Sequence, residues 1–436
     1  MGKPNSWHAL PRDCALGASI VLVITICLAH AAPDDVTQAG EGGRIVASTA
    51  PDWPQWRGPR RDGTSSETRL LREWPETGPP LIWTKGNLGK GFSSPIMVGD
   101  TIYISGDIGE ELVIFALDSS GKEKWRTPNG KSWKKSYPGS RSSGCYDDGR
   151  VYFMNAHGRL TCLNAADGKE EWAVSTMDRF GSKNVTWGIT ESVLVDERAV
   201  FVTPVGKRAL MAALDKKTGE TLWTTPALPD EQATYSSPIL IEIRGRRQLI
   251  NCGTKNVFGV DPATGALLWK HSHAIPRWVV AASPVFAKGM LFISNATKDL
   301  GKVYSLKMDG EKPESLWTAG MGNTYAGNVV CVGGMVLGSR KRNLKGWLGV
   351  SAETGETIVS NLDMHSGSVV YADGRFYCLT DRGLMVLLQF VDRRLKTVGK
   401  LQAIGGNKKD VWAHPVICNG RLYVRYHSKL HCYDIR

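Results

Sequence analysis

The residues of this sequence that could do chemistry are few, and they sit at the starts of apolar runs. Glu191 precedes Ser192-Val193-Leu194-Val195, and His365 and His414 precede Ser366 and Pro415 in similar settings. A carboxylate and an imidazole can serve as a general acid–base pair, so Glu191 with His365 or His414 is conceivable as one, but they fall in different repeats that need not bring them together, and no catalytic site is expected. Glu191 with Asn328 could offer oxygens to calcium, but two such residues are too few for that ion, and no metal site is expected. Just ahead of the same runs stand Phe92, Arg141, Ile189, Tyr235, Ala281, Tyr325, His365 and Trp412, with Trp187, Arg277 and Trp278 slightly upstream. Aromatic faces mixed with cations suit a planar or anionic ligand. The alternative is that the aromatics simply close a narrow channel against water. No Gly-x-Ser-x-Gly elbow, P-loop or His-Glu-x-x-His helix is present.

The elements that position these residues are repeated. Ala212-Ala213-Leu214-Asp215-Lys216-Lys217-Thr218-Gly219-Glu220-Thr221-Leu222-Trp223 reads as an apolar strand, an Asp/Gly turn and a strand carrying Trp. The pattern returns before Trp125, Trp172 and Trp269, and more loosely before Trp317. Apolar runs begin near Ser93, Ser142, Thr190, Ser236, Ala282, Ala326, Ser366 and Ala413, about 45 residues apart, which is the spacing of propeller blades. Short β-type runs between Gly/Asp turns give four strands to each unit. The sequence therefore predicts an all-β, eight-bladed propeller over residues 81–436. Val359 and Val398 replace Trp in two late units. The last unit stops at Asp434-Ile435-Arg436, where a turn to a fourth strand should start, while Leu81-Ile82-Trp83-Thr84 is a fourth strand with no turn before it. The N-terminal strand is expected to complete the last blade and remove its open edge. Trp83, Trp125, Trp172, Trp223, Trp269 and Trp317 read as structural plates between blades. Only the residues entering the first strands, the channel mouth, then remain as candidates for ligand binding.

Lys3 and Arg12 precede an apolar run from Ala15 to Ala29 and the small-x-small step Ala29-His30-Ala31. This is the order of a secretory signal over residues 1–31, and the run is short for a spanning helix. Ile26 ahead of Cys27 is too large for the usual lipid-attachment site. Residues 32–52 read as a flexible linker, and residues 53–80, opening with Trp53-Pro54-Gln55-Trp56-Arg57-Gly58, as an ordered segment packed on the propeller. Seven of the nine cysteines follow the signal, with no Cys-x-x-Cys and no adjacent pair. Export permits disulfides, but buried free thiols are the favoured reading. The formal charge of +12 suits an envelope protein or an anionic polymer as partner. No clustered basic run or reading helix points to nucleic acid. Association with a membrane is expected only through a partner or an uncleaved signal, and the protein is expected to be monomeric.

The Asp-x-x-Thr-Gly-x-x-x-Trp turn, intact at Asp215–Trp223 and Asp261–Trp269, resembles the pyrroloquinoline-quinone-like (PQQ-like) propeller repeat family over roughly residues 81–436. That family includes quinoprotein dehydrogenases and scaffolds similar to the outer-membrane assembly factor BamB. The segment WPQWRGPRRDGTS further resembles an exported subgroup common in planctomycete-type bacteria. The dehydrogenase side of the resemblance implies a quinone held between a Trp and a vicinal disulfide, a calcium ion on carboxylate and amide oxygens, and an Asp base. This chain has no vicinal cysteines and no haem attachment motif. The scaffold side implies a non-catalytic binding or assembly role in the cell envelope. PQQ and calcium are expected only if the chain is an alcohol or sugar dehydrogenase. Carbohydrate or polymer binding at the mouth is a third expectation.

Overall fold

The computed structural model describes residues 43–48, 52–273, 280–296, 301–308, 312–321, 327–340, 345–406 and 410–436. The signal segment, most of the linker, and the mouth candidates Arg277, Trp278 and Tyr325 lie outside these residues. The fold is an eight-bladed β-propeller. In chain order, the innermost strands of blades 1 to 8 are Ile96–Val98, Cys145–Asp147, Leu194–Asp196, Ile239–Ile243, Val285–Ala287, Val330–Val332, Gly367–Ala372 and Val416–Cys418. These start a few residues after the small-polar steps, which form the approach to each strand. Successive strands pair antiparallel outward to an edge strand such as Glu123–Lys131 or Thr221–Thr224. In blade 8, Leu81–Lys85 pairs antiparallel with Lys429–Asp434, with Trp83 opposite Cys432. The N-terminal strand thus closes the ring.

The expectation of a flexible linker over 32–52 is corrected at one place. Arg44–Ile45 pairs with the inner strand of blade 4, Arg44 opposite Glu242 and Ile45 opposite Ile241. That blade has five strands.

The Asp/Gly/Trp turn joins neighbouring blades. Asp215 Oδ1 accepts the amides of Lys217 and Thr218 at 2.9 and 3.1 Å, and Asp261 does the same for Ala263 and Thr264. Gly219 closes the turn at φ 71°, a conformation free of steric cost only for glycine. The Trp of one blade lies over the glycine of the next, and its indole N–H reaches the carbonyl one residue after the turn Asp or its equivalent. Trp83 donates to Ser119, Trp125 to Ala165, Trp172 to Lys216, Trp223 to Pro262 and Trp317 to Ala352, all at 2.9–3.1 Å. Each ring also sits 5.9–6.0 Å from an aromatic on its own blade's second strand: Tyr423, Tyr103, Tyr152, Phe201 and Phe292. Trp269 departs from the pattern and donates to Gln248 of its own blade at 2.7 Å.

Blade 7 has Val398 where that Trp belongs, yet its second strand keeps the aromatic, Tyr377. Trp74, from the segment before the first strand, supplies the ring. It lies 5.9 Å from Tyr377 at 58°, and the interplanar angle of Trp83 to Tyr423 is also 58°. The equivalent carbonyl, Ile435 O, is taken by the Leu71 amide at 2.7 Å. The joint between blades 7 and 8 is therefore built by a distant part of the chain.

Candidate functional site at the two ends of the axial channel

The inner strands are linked around the axis by small polar side chains. The amide of Ser94 donates to Ser143 Oγ, Ser143 to Ser192 and Ser192 to Ser237, each at 2.9 Å, and Ser237 donates to Ser283 at 3.3 Å. Ser94 Oγ donates to the His414 carbonyl at 3.0 Å. One short hydroxyl on each of blades 1 to 5 lets these strands converge with their backbone groups satisfied. The serines recur at the Ser-Ser-Pro step, so the signal was present in the sequence, but it reads there as a channel lining and not as a brace between blades.

The end of the channel where the inner strands turn outward is filled by the chain itself. Trp53 pairs with Met97, Gln55 with Cys145, and Thr64 with Tyr371. Trp56 donates to Ser283 Oγ on blade 5 at 3.2 Å and packs against the His414 ring on blade 8 at 4.6 Å. Arg57, buried, donates to the carbonyls of Asp62 and Val329 at 2.7 Å. Arg61, also buried, donates to Ser192 O at 2.6 Å, Val193 O at 3.1 Å and Gln55 Oε1 at 3.0 Å. Burial lowers both guanidinium groups to about 10. Arg57 and Arg61 are the charged side chains of the channel that sequence reasoning missed. Their Trp/Pro/Gly-rich surroundings marked the segment as ordered without showing that it crosses the axis.

Glu191 lies on blade 3, buried between the two ends. Its oxygens accept the Thr203 amide at 3.0 Å and the Thr203 hydroxyl at 2.8 Å, and Thr203 Oγ1 in turn accepts from Asn251 Nδ2 at 2.8 Å. Burial raises the Glu191 carboxyl to about 7, while the Thr203 bonds and the more distant Arg61 charge pull the other way. A cleft lined by Glu191, Thr203, Asn251, Ser236 and Lys183 reaches it, with room of about 20 Å³, enough for one water molecule. Glu191 is not joined to either candidate partner by a hydrogen bond among the described residues. His414 stands against Trp56. His365 lies on the approach to blade 7, its carbonyl accepting from Trp347 at 2.9 Å, and burial with the nearby charges of Arg382 and Lys345 lowers its imidazole. Glu191, His365 and His414 belong to blades 3, 7 and 8 respectively. Asn328, on blade 6, is buried with Oδ1 unpartnered, and the plug's Arg61 and Arg57 reach the blade 3 and blade 6 carbonyls beside Glu191 and Asn328 respectively.

At the opposite end, the mouth, the structure brings several of the aromatics expected there together in the sector of blades 8, 1 and 2. Phe92 stacks on Trp412 at 5.0 Å, and Tyr137 packs on Trp412 at 4.8 Å. Trp187 and Tyr235 form a second pair at 5.5 Å further round. Arg141 is engaged by its own chain. Its fork donates to the carbonyls of Gly139 at 2.9 Å, Ser136 at 3.1 Å, Tyr137 at 2.7 Å and Trp187, and it lies over Phe92 and Trp133. Tyr137 was not among the sequence candidates, because it lies in the loop ahead of the blade 2 approach. Asp410 accepts from Tyr426 at 3.2 Å and pairs with His427 at 3.0 Å beside this cluster. His271 and His273, two residues apart in sequence, go to different partners, Ser315 and Tyr304.

The quinone and calcium implied by the dehydrogenase resemblance do not fit these residues. The seven described cysteines are free thiols, and none adjoins another in sequence. Among the described residues no three His, Cys, Asp or Glu side chains gather to hold an ion. Glu191 and Asn328 stand on different sides of the axis, and the two guanidinium groups bound beside them would repel a dication.

Comparison with known proteins agrees with this architecture. No curated protein matches the sequence. Among solved structures, BamB from Moraxella catarrhalis is 14% identical, with a TM-score of 0.60 over 82% of this chain and 97% of its own. The quinohemoprotein alcohol dehydrogenase from Comamonas testosteroni is 13% identical, with a TM-score of 0.62 over 89% and 81%. The computationally designed Ika8 protein is 11% identical, at 0.58 over 82% and 100%. At such identities these likenesses speak for the fold alone. The sequence profile described as "Outer membrane protein assembly factor BamB" matches residues 109–361, more than half of the chain. With its repeated Asp/Gly/Trp joints and N-terminal closing strand, the chain belongs to this BamB-like family of PQQ-like β-propellers.

Proposed function

We propose that this protein is an exported binding or assembly scaffold of the cell envelope and that it performs no chemistry of its own. The observation that carries this reading is the state of the axial channel. Residues 53–67 fill one end, and three charged groups inside are engaged by the protein: Glu191 by Thr203, and Arg57 and Arg61 by backbone carbonyls. Membership of a family described by an assembly factor points the same way. The partner on this reading is an envelope protein or an anionic polymer, and the N-terminal basic-apolar-small order is the export signal. Cell fractionation combined with crosslinking in intact cells tests it. The expected result is protein processed after Ala31, located in the envelope and crosslinked there to a defined partner. Retention in the cytosol with no crosslinked partner would overturn the reading.

A dehydrogenase is the competing reading, favoured by one feature: a buried carboxyl raised to about 7, in the range useful to a general base. Purified protein mixed with PQQ and calcium is expected to show no saturable absorbance change and no dye reduction with alcohols or sugars. Turnover abolished by Glu191→Ala would decide for the enzyme.

A further inference from the structure

We propose that the aromatic cluster of Phe92, Trp412 and Tyr137, with Lys90 and Lys135 at its rim, is a binding subsite for a sugar ring of an acidic polysaccharide. The proposal rests on the binding reading above and names the partner's chemistry.

The cluster has the build of a preformed platform. Its rings run Tyr137, Trp412, Phe92, His427, with neighbouring centroids 4.8–5.1 Å apart. Tyr137 is 41% exposed, where a free aromatic ring gains nothing from facing water. Its backbone is held at φ 56°, a left-handed conformation unfavourable for an aromatic residue. Such conformations persist only where the surroundings enforce them, and they gather at ligand clamps. Here the enforcement is visible: the half-buried Arg141 fork bonds the carbonyls of Ser136, Tyr137 and Gly139 together. A rigid aromatic presented in this way loses little conformational entropy on binding. The C–H face of a pyranose lies flat on such a ring, while its hydroxyls remain free for hydrogen bonds.

The rim decides the charge of the ligand. Lys90 and Lys135 are exposed, and Lys135 lies over Trp133 next to the cluster. Lys134 adds a third cation in an exposed pair with Glu110, a contact weak enough to exchange for a ligand anion. The carboxylate on the other side, Asp410, is engaged by Tyr426 and His427. The formal charge of +12 favours the approach of a polyanion.

Calorimetric titration of the purified protein with polygalacturonate oligomers at two salt concentrations tests the assignment, with maltoheptaose as the neutral probe and an oligo-dT strand as the other polyanion. Saturable binding to polygalacturonate is expected, weakened at least tenfold by Tyr137→Ala, kept by Tyr137→Phe, and weakened several-fold by Lys90→Ala with Lys135→Ala. Tyr137 and both lysines are exposed, so these variants should fold. Binding that is absent, that ignores Tyr137→Ala, that is as strong for maltoheptaose, or that is stronger for oligo-dT would overturn the proposal. Crosslinking to an envelope protein is read separately, so loss of the glycan subsite and loss of the scaffold reading are distinguishable.

Discussion

Trp56 donates its indole N–H to Ser283 at 3.2 Å, which ties a residue ahead of the first propeller strand to the inner face of blade 5. The same ring packs on His414 of blade 8, so one side chain bridges two non-adjacent blades. Trp56→Ala should destabilise the fold by about 2–4 kcal/mol, as a large aromatic leaves a cavity. Trp56→Phe keeps the packing on His414 and loses one hydrogen bond, for a cost of about 1 kcal/mol. Urea unfolding monitored by circular dichroism would separate the two; equal losses would show that the bond, and not the ring, holds the plug.

Trp74 stands in for the missing Trp of blade 7. Trp74→Ala is expected to cost about 3–4 kcal/mol, comparable to removing Trp125 or Trp172 from their own blades. A double substitution, Trp74→Ala with Val398→Trp, should recover part of that loss by restoring the ring from within the blade. A shift in the urea midpoint for each variant measures this, and no recovery would mean that Trp74 serves the N-terminal segment alone.

The closing strand Leu81–Lys85 pairs blade 8 by backbone hydrogen bonds. A chain starting at residue 86 lacks this strand together with the plug, and leaves the edge Lys429–Asp434 unpaired. An open edge invites pairing with other chains. Size-exclusion chromatography should show aggregates or higher oligomers for the shortened chain and a single monomer peak for residues 32–436.

Gly265 and Gly99 offer a controlled comparison, since both have positive φ, 78° and 59°. A Cβ at Gly265 would lie 2.5 Å from the Trp223 ring, whereas one at Gly99 meets nothing within 4 Å. Gly265→Ala should therefore cost about 2–3 kcal/mol more than Gly99→Ala, through overpacking of the joint between blades 3 and 4. Thermal unfolding of the two variants checks this, and similar melting temperatures would remove Trp223 from the joint.

Glu191 gives a pH dependence with a defined sign. Its carboxyl is raised from 4.5 to about 7 in the folded protein, so between those values the native state holds a proton that the unfolded chain has released. Stability falls as pH rises through this window, by on the order of 3 kcal/mol for this group. Asp107, raised by burial to about 6, acts in the same direction. Glu191→Gln removes the titration but forfeits one of the two Thr203 bonds. It should look worse than the wild type at pH 4.5 and gain on it steadily toward pH 8. A stability difference that does not change with pH would show that Glu191 is hydrated in the folded state.

The propeller itself was legible in the sequence because a blade is specified locally. Asp215 and Gly219 make a turn that needs no distant partner, alternating apolar residues fix which strand faces are buried, and the fixed spacing to Trp223 repeats the unit. Even the ring closure was readable, since Asp434 begins a turn that has no strand after it and Leu81 begins a strand that has no turn before it. The tertiary structure alone decided what lies along the axis. Trp56, Arg57 and Arg61 become a plug, and Trp74 becomes a blade 7 residue, only once the closing strand has brought the N-terminal segment to the centre of the ring. Burial then sets the chemistry: Glu191 is raised by desolvation and held by Thr203 on blade 3. Arg141, which in sequence reads as a cation at the mouth, bonds the carbonyls of the loop that carries Tyr137. These outcomes depend on contacts between residues far apart in the chain, which no local pattern encodes.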